Sequence, residues 1–245
     1  KHKDTQIKFN DLDVIIEGDV LKYAKELQNI LGINRVNISR RNEEYKTIEL
    51  IIDDIKVDIA SAREEKYIKA GENPTVKYTT ISKDLIRRDF NINAIAFDLK
   101  EEKLIDLNLG LDGISNKKID FLHCLSVTED PTRIIRAARY SARLDFELST
   151  KSIKQIKSTI TLWPWEWRIG DQPDLAPSAL SSRLKMELEL LFKNEPWVNA
   201  INKLKDWGAL KILDPKLQFE DKFQERIESA KELNIEPLTA FIYGA

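Results

Sequence analysis

The stretch Ile7-Lys-Phe-Asn-Asp-Leu-Asp-Val-Ile-Ile16 decides the fold of the first part of this 245-residue chain. It predicts a β-strand, in which side chains two positions apart point to the same face. Asp11 and Asp13 therefore share one face, and Leu12 points to the other. Two neighbouring carboxylates repel each other unless a cation lies between them, and Mg²⁺ prefers oxygen ligands. We predict a metal site at Asp11 and Asp13; the alternative is a solvated strand that happens to carry two acids.

The composition is typical of a globular protein that can bury a core, with 42% hydrophobic and 33% charged residues. The single cysteine, Cys124, excludes an internal disulfide and indicates a reducing compartment, so we expect a cytoplasmic location. No apolar run is long enough to span a bilayer and the first residues do not resemble a signal peptide, so we expect no membrane partner. The net charge of −2 neither proposes nor excludes RNA, whose binding surface would have to be local.

Strand-like segments occupy the first half of the chain, and helical segments occupy the second. In the first half we predict a helix at residues 19–31, strands at 35–40, 46–52 and 55–60, and a long connection at 63–80. In the second half we predict helices at residues 131–144, 151–162, 177–193, 195–210 and 221–233. This order predicts an α/β head with a small mixed sheet at residues 1–122 and an all-helical neck and body at residues 123–245.

Two further motifs concentrate arginine. In Arg87-Arg88-Asp89-Phe-Asn-Ile-Asn-Ala94, the guanidinium groups suit phosphate oxygens; the alternative is an exposed Arg–Asp pair at a helix end. In Glu129-Asp130-Pro131-Thr-Arg133-Ile-Ile-Arg136-Ala-Ala-Arg139, the proline predicts a helix start. The three arginines that follow are spaced by three residues and predict a positive stripe, which could hold a triphosphate or an RNA backbone.

The three motifs, in this order, resemble the tRNA nucleotidyltransferase/poly(A) polymerase family, and most of all its bacterial (class II) branch, of the CCA-adding or A-adding type. The resemblance covers residues 11–146, includes a hinge-like segment at 104–113, and weakens to a family-like helix at 180–188. It implies a polymerase-β-like nucleotidyltransferase head. The implied reaction is template-independent transfer of CMP or AMP, or both, from CTP or ATP to the 3′ end of tRNA, with release of pyrophosphate; no DNA partner is expected.

The resemblance also implies a role for each motif. Asp11 and Asp13 would be catalytic and would hold two Mg²⁺ ions, with Asp58 as a possible third carboxylate. The implied nucleotide-binding residues are Arg88, Asp130, Arg133, Arg136 and Arg139. Among these, an Asp acceptor and an Arg donor fork suit the hydrogen-bonding edges of cytosine and adenine, which each place an amine next to a ring nitrogen.

Some features depart from the family pattern or stand outside it. Family members carry a Gly-Gly-x-x-Arg-Asp turn just before the paired aspartates, and residues 1–10 contain none, so we expect the sequence to begin late. We also expect it to stop before the last helices of its relatives. The cluster of Trp163, Trp165 and Trp167 favours a loop that anchors a helical domain; the alternative is stacking on RNA bases.

Other functions stay open. A poly(A) polymerase acting on other RNA 3′ ends would use the same chemistry, and a non-catalytic RNA-binding relative would explain the missing glycine turn. Paired aspartates count against the second alternative, because they would repel phosphates. The sequence does not indicate whether CC, A or the whole CCA is added, nor the oligomeric state.

Overall fold

The structure, a computed structural model, describes residues 12–162, 178–213 and 221–244. Asp11 and the Trp163, Trp165 and Trp167 cluster lie outside these residues. The chain divides into two compact units, one made of residues 1–66 and 75–87 and the other of residues 67–74 and 88–245. The domain boundary predicted near residue 122 stays a prediction.

The first unit is built on a mixed four-stranded sheet. Its elements are β1 (Leu12–Ile16), α1 (Val20–Leu31), β2 (Val36–Asn42), β3 (Thr47–Ile52), β4 (Ile55–Ser61), β5 (Arg63–Lys66), β6 (Thr75–Tyr78) and α2 (Ile81–Ile86). The strand order is β1-β4-β3-β2, with β1 parallel to β4 and the other pairs antiparallel. The predicted small mixed sheet is therefore confirmed.

Helix α1 forms where the sequence supplies signals at both ends. The Asp19 carboxylate accepts a hydrogen bond from the Leu21 amide at 2.9 Å and caps the first turn. Gly32, at φ +95°, ends the helix in a conformation that favours glycine. The buried residues Val20 and Ala24 form one core cluster with apolar residues from a single face of the sheet. The acids of β1 and β4 belong to the opposite face, as the alternation predicts.

Residues 63–80, predicted as a long connection, contain an antiparallel pair of strands instead. Strands β5 and β6 pair from Arg63 opposite Tyr78 to Lys66 opposite Thr75. The prediction failed because these strands carry mainly charged and polar residues, so no apolar alternation marks them. Asp84 of α2 is fully buried and accepts a hydrogen bond from the Arg63 amide at 3.0 Å, which joins α2 to β5.

The second unit is mainly helical. Its elements are β7 (Ile95–Asp98), β8 (Lys103–Asp106), α3 (Gly110–Ser115), β9 (Lys118–Ile119), α4 (Ser126–Glu129), α5 (Thr132–Leu144), β10 (Glu147–Leu148), α6 (Thr150–Leu162), α7 (Ser178–Asn194), α8 (Trp197–Asp206), α9 (Asp221–Glu232) and α10 (Pro237–Gly244). The five predicted helices are confirmed to within a few residues at most ends. The all-helical prediction is wrong at β10, a two-residue strand that pairs with β9. Within the described ranges, no helix is long and apolar enough to cross a membrane.

Helix α5 is the centre of this unit. Ile134 and Ile135 are completely buried in a core cluster that also includes residues from α7 and α8, such as Leu184 and Ile201. These residues fall at the helical spacing that the sequence shows. This packing fixes the position of α5 and therefore the positions from which its arginine side chains extend.

Gly113 permits a close approach within the hinge-like segment. A Cβ added there would lie 2.3 Å from Asn91 Nδ2 and 2.8 Å from the Lys118 carbonyl oxygen. The Asp106 carboxylate caps the same helix, α3, by accepting hydrogen bonds from the Gly110 and Leu111 amides at 2.7 and 2.9 Å. Helix α3 therefore packs directly on the turn that follows Asp89.

Candidate functional site

Three carboxylates form a row across the sheet of the first unit. Asp13 on β1 is in register with Asp58 on β4, and Asp58 is in register with Glu49 on β3. Residues in register on neighbouring strands lie about 4.8 Å apart and point to the same face. Within the described ranges, no cluster of three His, Cys, Asp or Glu residues has the geometry to hold a metal ion. The row offers two carboxylates in register, those of Asp13 and Asp58. Asp11, the other predicted metal ligand on this strand, lies outside the described residues.

An ammonium group lies within this row. Lys56 Nζ is 2.8 Å from Glu49 Oε2 and 3.3 Å from Asp58 Oδ2. The hydrogen bond to Glu49, and then that to Asp58, raises the pKa of Lys56. The hydrogen bonds from Lys56 and Ser39 lower the pKa of Glu49. Glu49 and the Lys56 ammonium are therefore both charged at neutral pH.

The donor set fits a hard divalent cation. Asp13 and Asp58 offer oxygen atoms from two hydrogen-bonded parallel strands, and such ligands suit Mg²⁺. Like charges directly opposite each other on neighbouring strands are unfavourable unless something neutralises them. The prediction of two Mg²⁺ ions remains a prediction.

The two adjacent arginines of the second motif have different surroundings. Arg87 donates to Asp84 at 2.7 Å and to Glu65 at 2.8 Å, so its charge is neutralised within the first unit. Arg88 is half-buried, and its Nη1 donates to the Asn93 carbonyl oxygen at 3.4 Å. Arg87 therefore fixes local structure, and Arg88 stays the nucleotide-binding candidate of this motif.

Asp130 lies just before helix α5. Its Oδ1 accepts hydrogen bonds from the Thr132 amide at 3.1 Å and from the Thr132 hydroxyl at 2.6 Å. Arg183 Nη2 of α7 lies 3.6 Å from the same oxygen. The Asp130 side chain is 14% exposed, so the carboxylate is oriented by its neighbours and partly open to solvent.

Arg133 lies in the first turn of α5 and is buried. Its Nη1 donates to the Ser126 hydroxyl at 2.5 Å and lies 3.5 Å from His123 Nε2. Burial, together with the charge of Arg133, lowers the pKa of His123, so this imidazole is neutral at neutral pH. The guanidinium is thereby held in one orientation without a second positive charge beside it.

Acids from other segments neutralise Arg136 and Arg139 of the predicted positive stripe on α5, so the prediction is wrong at these two positions. Arg136 Nη2 is 2.6 Å from Asp89 Oδ2, and its Nη1 is 3.1 Å from Glu187 Oε1. Arg139 is buried and pairs with both Glu187 and Glu195, and Glu195 also pairs with Arg143. Although burial alone would lower it, the pKa of Arg136 is raised by Asp89 and Glu187.

Sequence reasoning missed the acids that pair with these arginines. Asp89 belongs to the second motif, and Glu187 belongs to the family-like helix. The location of each in a family-like segment could therefore have marked it as a candidate. Glu195 carried none. The alternating chain Asp89–Arg136–Glu187–Arg139–Glu195 is named the ion-pair chain below, and all its members belong to the second unit.

The structure sorts the predicted site residues into two groups. Asp13 and Asp58 lie together on the sheet of the first unit. The five predicted nucleotide-binding residues lie in the second unit, and four of them are on α5 or just before it: Asp130, Arg133, Arg136 and Arg139. Arg88 is next to Asp89 in the chain, and Asp89 links this segment to α5.

Comparison with known proteins identifies the family. Residues 3–120 match the Poly A polymerase head domain. The chain is 31% identical over 226 residues to an A-adding tRNA nucleotidyltransferase of Aquifex aeolicus, covering 91% of this chain and 26% of that protein. It is 30% identical over 207 residues to a CC-adding tRNA nucleotidyltransferase of Deinococcus radiodurans, covering 83% of this chain and 50% of that protein. This chain belongs to the tRNA nucleotidyltransferase/poly(A) polymerase family.

Solved structures of tRNA nucleotidyltransferases and related enzymes agree with this assignment. A CCA-adding enzyme in apo form II has a TM-score of 0.77 at 29% identity, covering 92% of this chain and 51% of that one. A tRNA nucleotidyltransferase complexed with a primer tRNA and an incoming ATP analog has a TM-score of 0.69 at 29% identity, covering 92% of this chain and 60% of that one. The chain spans between about a quarter and a half of the length of the curated relatives named above. The predicted family resemblance is confirmed.

Proposed function

We propose that this protein transfers CMP or AMP, or both, from CTP or ATP to the 3′-hydroxyl of tRNA without a nucleic-acid template and releases pyrophosphate. The observation that carries the proposal is the register of Asp13 with Asp58 on one sheet face, in a chain of this family. The identity to both A-adding and CC-adding enzymes supports the reaction class and leaves the choice of nucleotide to experiment.

The acidic row would hold the metal ions. Asp13, together with Asp11, would provide the ligands, and Asp58 is placed to serve as a third carboxylate. Bound Mg²⁺ would supply activation of the attacking hydroxyl and neutralisation of charge on the phosphates. The task of the aspartates is to hold their oxygens at a fixed spacing, which a paired strand does better than a loop.

Asp130 and Arg133 would select the base. An oriented carboxylate accepts from the exocyclic amine of cytosine or adenine, and a guanidinium donates to the adjacent ring nitrogen. Uracil and guanine present a carbonyl where the amine would be, so an acceptor is left facing an acceptor. The hydrogen bonds from Thr132 to Asp130 and from Arg133 to Ser126 would keep this pair preorganised.

Arg88, Arg136 and Arg139 would support the nucleotide in different ways. Arg88 would contact the nucleotide directly. Arg136 is 32% exposed at its side chain, whereas Arg139 is 7% exposed. We propose that Arg136 reaches the nucleotide from its exposed part and that Arg139 acts by holding Glu187 in place.

The function is tested with tRNA substrates that end at each successive position of the CCA terminus, supplied with CTP or ATP separately. We expect extension of at least one of these substrates and no addition of UMP or GMP. A generic RNA primer is the control for the acceptor. Equal extension of that primer would favour the alternative function, a poly(A) polymerase. The match to a Poly A polymerase head domain is compatible with that alternative. Absence of any extension would indicate a non-catalytic RNA-binding relative.

Replacing Arg133 by Ala is expected to reduce discrimination of CTP and ATP against UTP and GTP by about tenfold or more, because a bidentate contact to a base contributes about 1–3 kcal/mol. The measurement is kcat/KM for each of the four nucleotides. Arg143→Ala is the matched control, since Arg143 lies on the same helix and pairs with Glu195 at its far end. Unchanged nucleotide preference in Arg133→Ala would contradict the base-reading role.

A further inference from the structure

Lys56 pairs with two of the three carboxylates of the acidic row. It lies two residues before Asp58 on β4, so both side chains point to the same face. Its shorter contact, 2.8 Å, is to Glu49, and its longer contact, 3.3 Å, is to Asp58. The other carboxylate oxygen of Glu49 accepts a hydrogen bond from the Ser39 hydroxyl. Glu49, which Ser39 also holds in place, is therefore the closer partner of the ammonium, and Asp58 is the more distant partner.

Lys56 offsets part of the negative charge of the row. Asp13, Asp58 and Glu49 are consecutive partners across three strands, and like charges in such positions disfavour the sheet. The ammonium neutralises one of these negative charges. A divalent cation at Asp13 and Asp58 would neutralise the same charges and would repel the ammonium. The two cations therefore compete for Asp58.

We propose that Lys56 is a resident counter-ion of the metal site: it neutralises Asp58 while no metal is bound and moves fully onto Glu49 when a divalent cation binds. The inference rests on the proposed function, because it takes Asp13 and Asp58 as metal ligands. Lys56 is thus a positioning residue. It stabilises the metal-free sheet and lowers the affinity for metal without touching the substrate.

The inference is tested by titrating the purified protein with Mn²⁺ and measuring binding by electron paramagnetic resonance. Lys56→Met is expected to tighten Mn²⁺ binding about three- to tenfold, because a positive charge next to a divalent ion is removed. Lys56→Arg, which keeps the charge, is expected to bind as the wild type does. Lys25→Met is the matched control: it makes the same charge change at an exposed position on α1, which packs on the opposite face of the sheet.

Thermal unfolding provides a second readout that is independent of turnover. Without metal, Lys56→Met is expected to melt below the wild type, because the acids lose their counter-ion. Saturating Mn²⁺ is expected to reduce the difference in melting temperature between the variant and the wild type. A ligand that binds only the folded state stabilises that state more when its affinity is higher, and the variant is expected to have the higher affinity. If the melting temperatures of Lys56→Met and the wild type differed by the same amount with and without Mn²⁺, Lys56 would form an ordinary surface ion pair. That result would overturn the inference.

The outcomes separate this inference from the proposed function. Equal or weaker Mn²⁺ binding in Lys56→Met, with binding lost in Asp13→Asn, would overturn the role of Lys56 and leave the metal site standing. Undiminished Mn²⁺ binding in Asp13→Asn would overturn the metal assignment itself, and the role of Lys56 with it.

Discussion

Replacing Asp13 by Asn is expected to lower the rate of nucleotide addition by about a thousandfold or more, because a catalytic metal ion contributes several kcal/mol of charge stabilisation and each 1.4 kcal/mol is about tenfold in rate. The folded state should be little affected, since Asp13 is exposed and Asn is nearly isosteric. The measurement is single-turnover extension of a tRNA that lacks its terminal nucleotide, with circular dichroism as the check on folding.

Asp54→Asn is the matched control for this prediction. Asp54 is exposed in the turn between β3 and β4, at φ +66°, a conformation that Asn tolerates. It makes the same chemical change on the same sheet, away from the row of carboxylates. Near-normal turnover in Asp13→Asn would refute the metal assignment, whereas equal losses in both variants would indicate a general effect of charge.

Replacing Glu187 by Ala is expected to lower the free energy of unfolding by about 3 kcal/mol, because it leaves buried arginine charge without its partner. Glu187 is 2% exposed and joins Arg136 to Arg139 in the middle of the ion-pair chain. Arg136 keeps its contact with Asp89, and Arg139 keeps its contact with Glu195, so the loss of folding free energy is limited. Chemical denaturation followed by circular dichroism measures the change.

Glu189→Ala is the control on the same helix. Glu189 is half exposed and lies 3.9 Å from Lys185, one turn away. A surface pair of this kind contributes between zero and about 1 kcal/mol, so this variant should unfold close to the wild type. If Glu187→Ala were as stable as Glu189→Ala, the ion-pair chain would not contribute to the stability of the second unit.

The sequence predicted those elements whose signals are local. Helix α1 has a capping acid at one end and a glycine at the other, and its apolar residues repeat at helical spacing. The faces of β1 and β4 follow from alternation alone. Strands β5 and β6 escaped prediction because a charged hairpin has no apolar pattern, and its pairing depends on contacts with the buried Asp84.

The candidate site divides in the same way. Alternation places Asp13 and Asp58 each on the face of its strand opposite the apolar residues, but strand register, which makes them direct neighbours, depends on long-range pairing. The positive stripe was mispredicted in part because the neutralising acids are remote in sequence. Asp89 precedes Arg136 by 47 residues, and Glu187 follows it by 51 residues. Local spacing describes the helix and does not reveal what packs against it.

The ion-pair chain has a consequence for protein engineering. A relative that receives helix α5 from this chain gains the arginines but not Asp89, Glu187 and Glu195, which come from three other places in this chain. Stranded guanidinium groups would then disfavour the graft, however well its apolar side fits. Swaps of nucleotide preference should therefore move these acids and arginines as one block, and natural variation at them should be correlated.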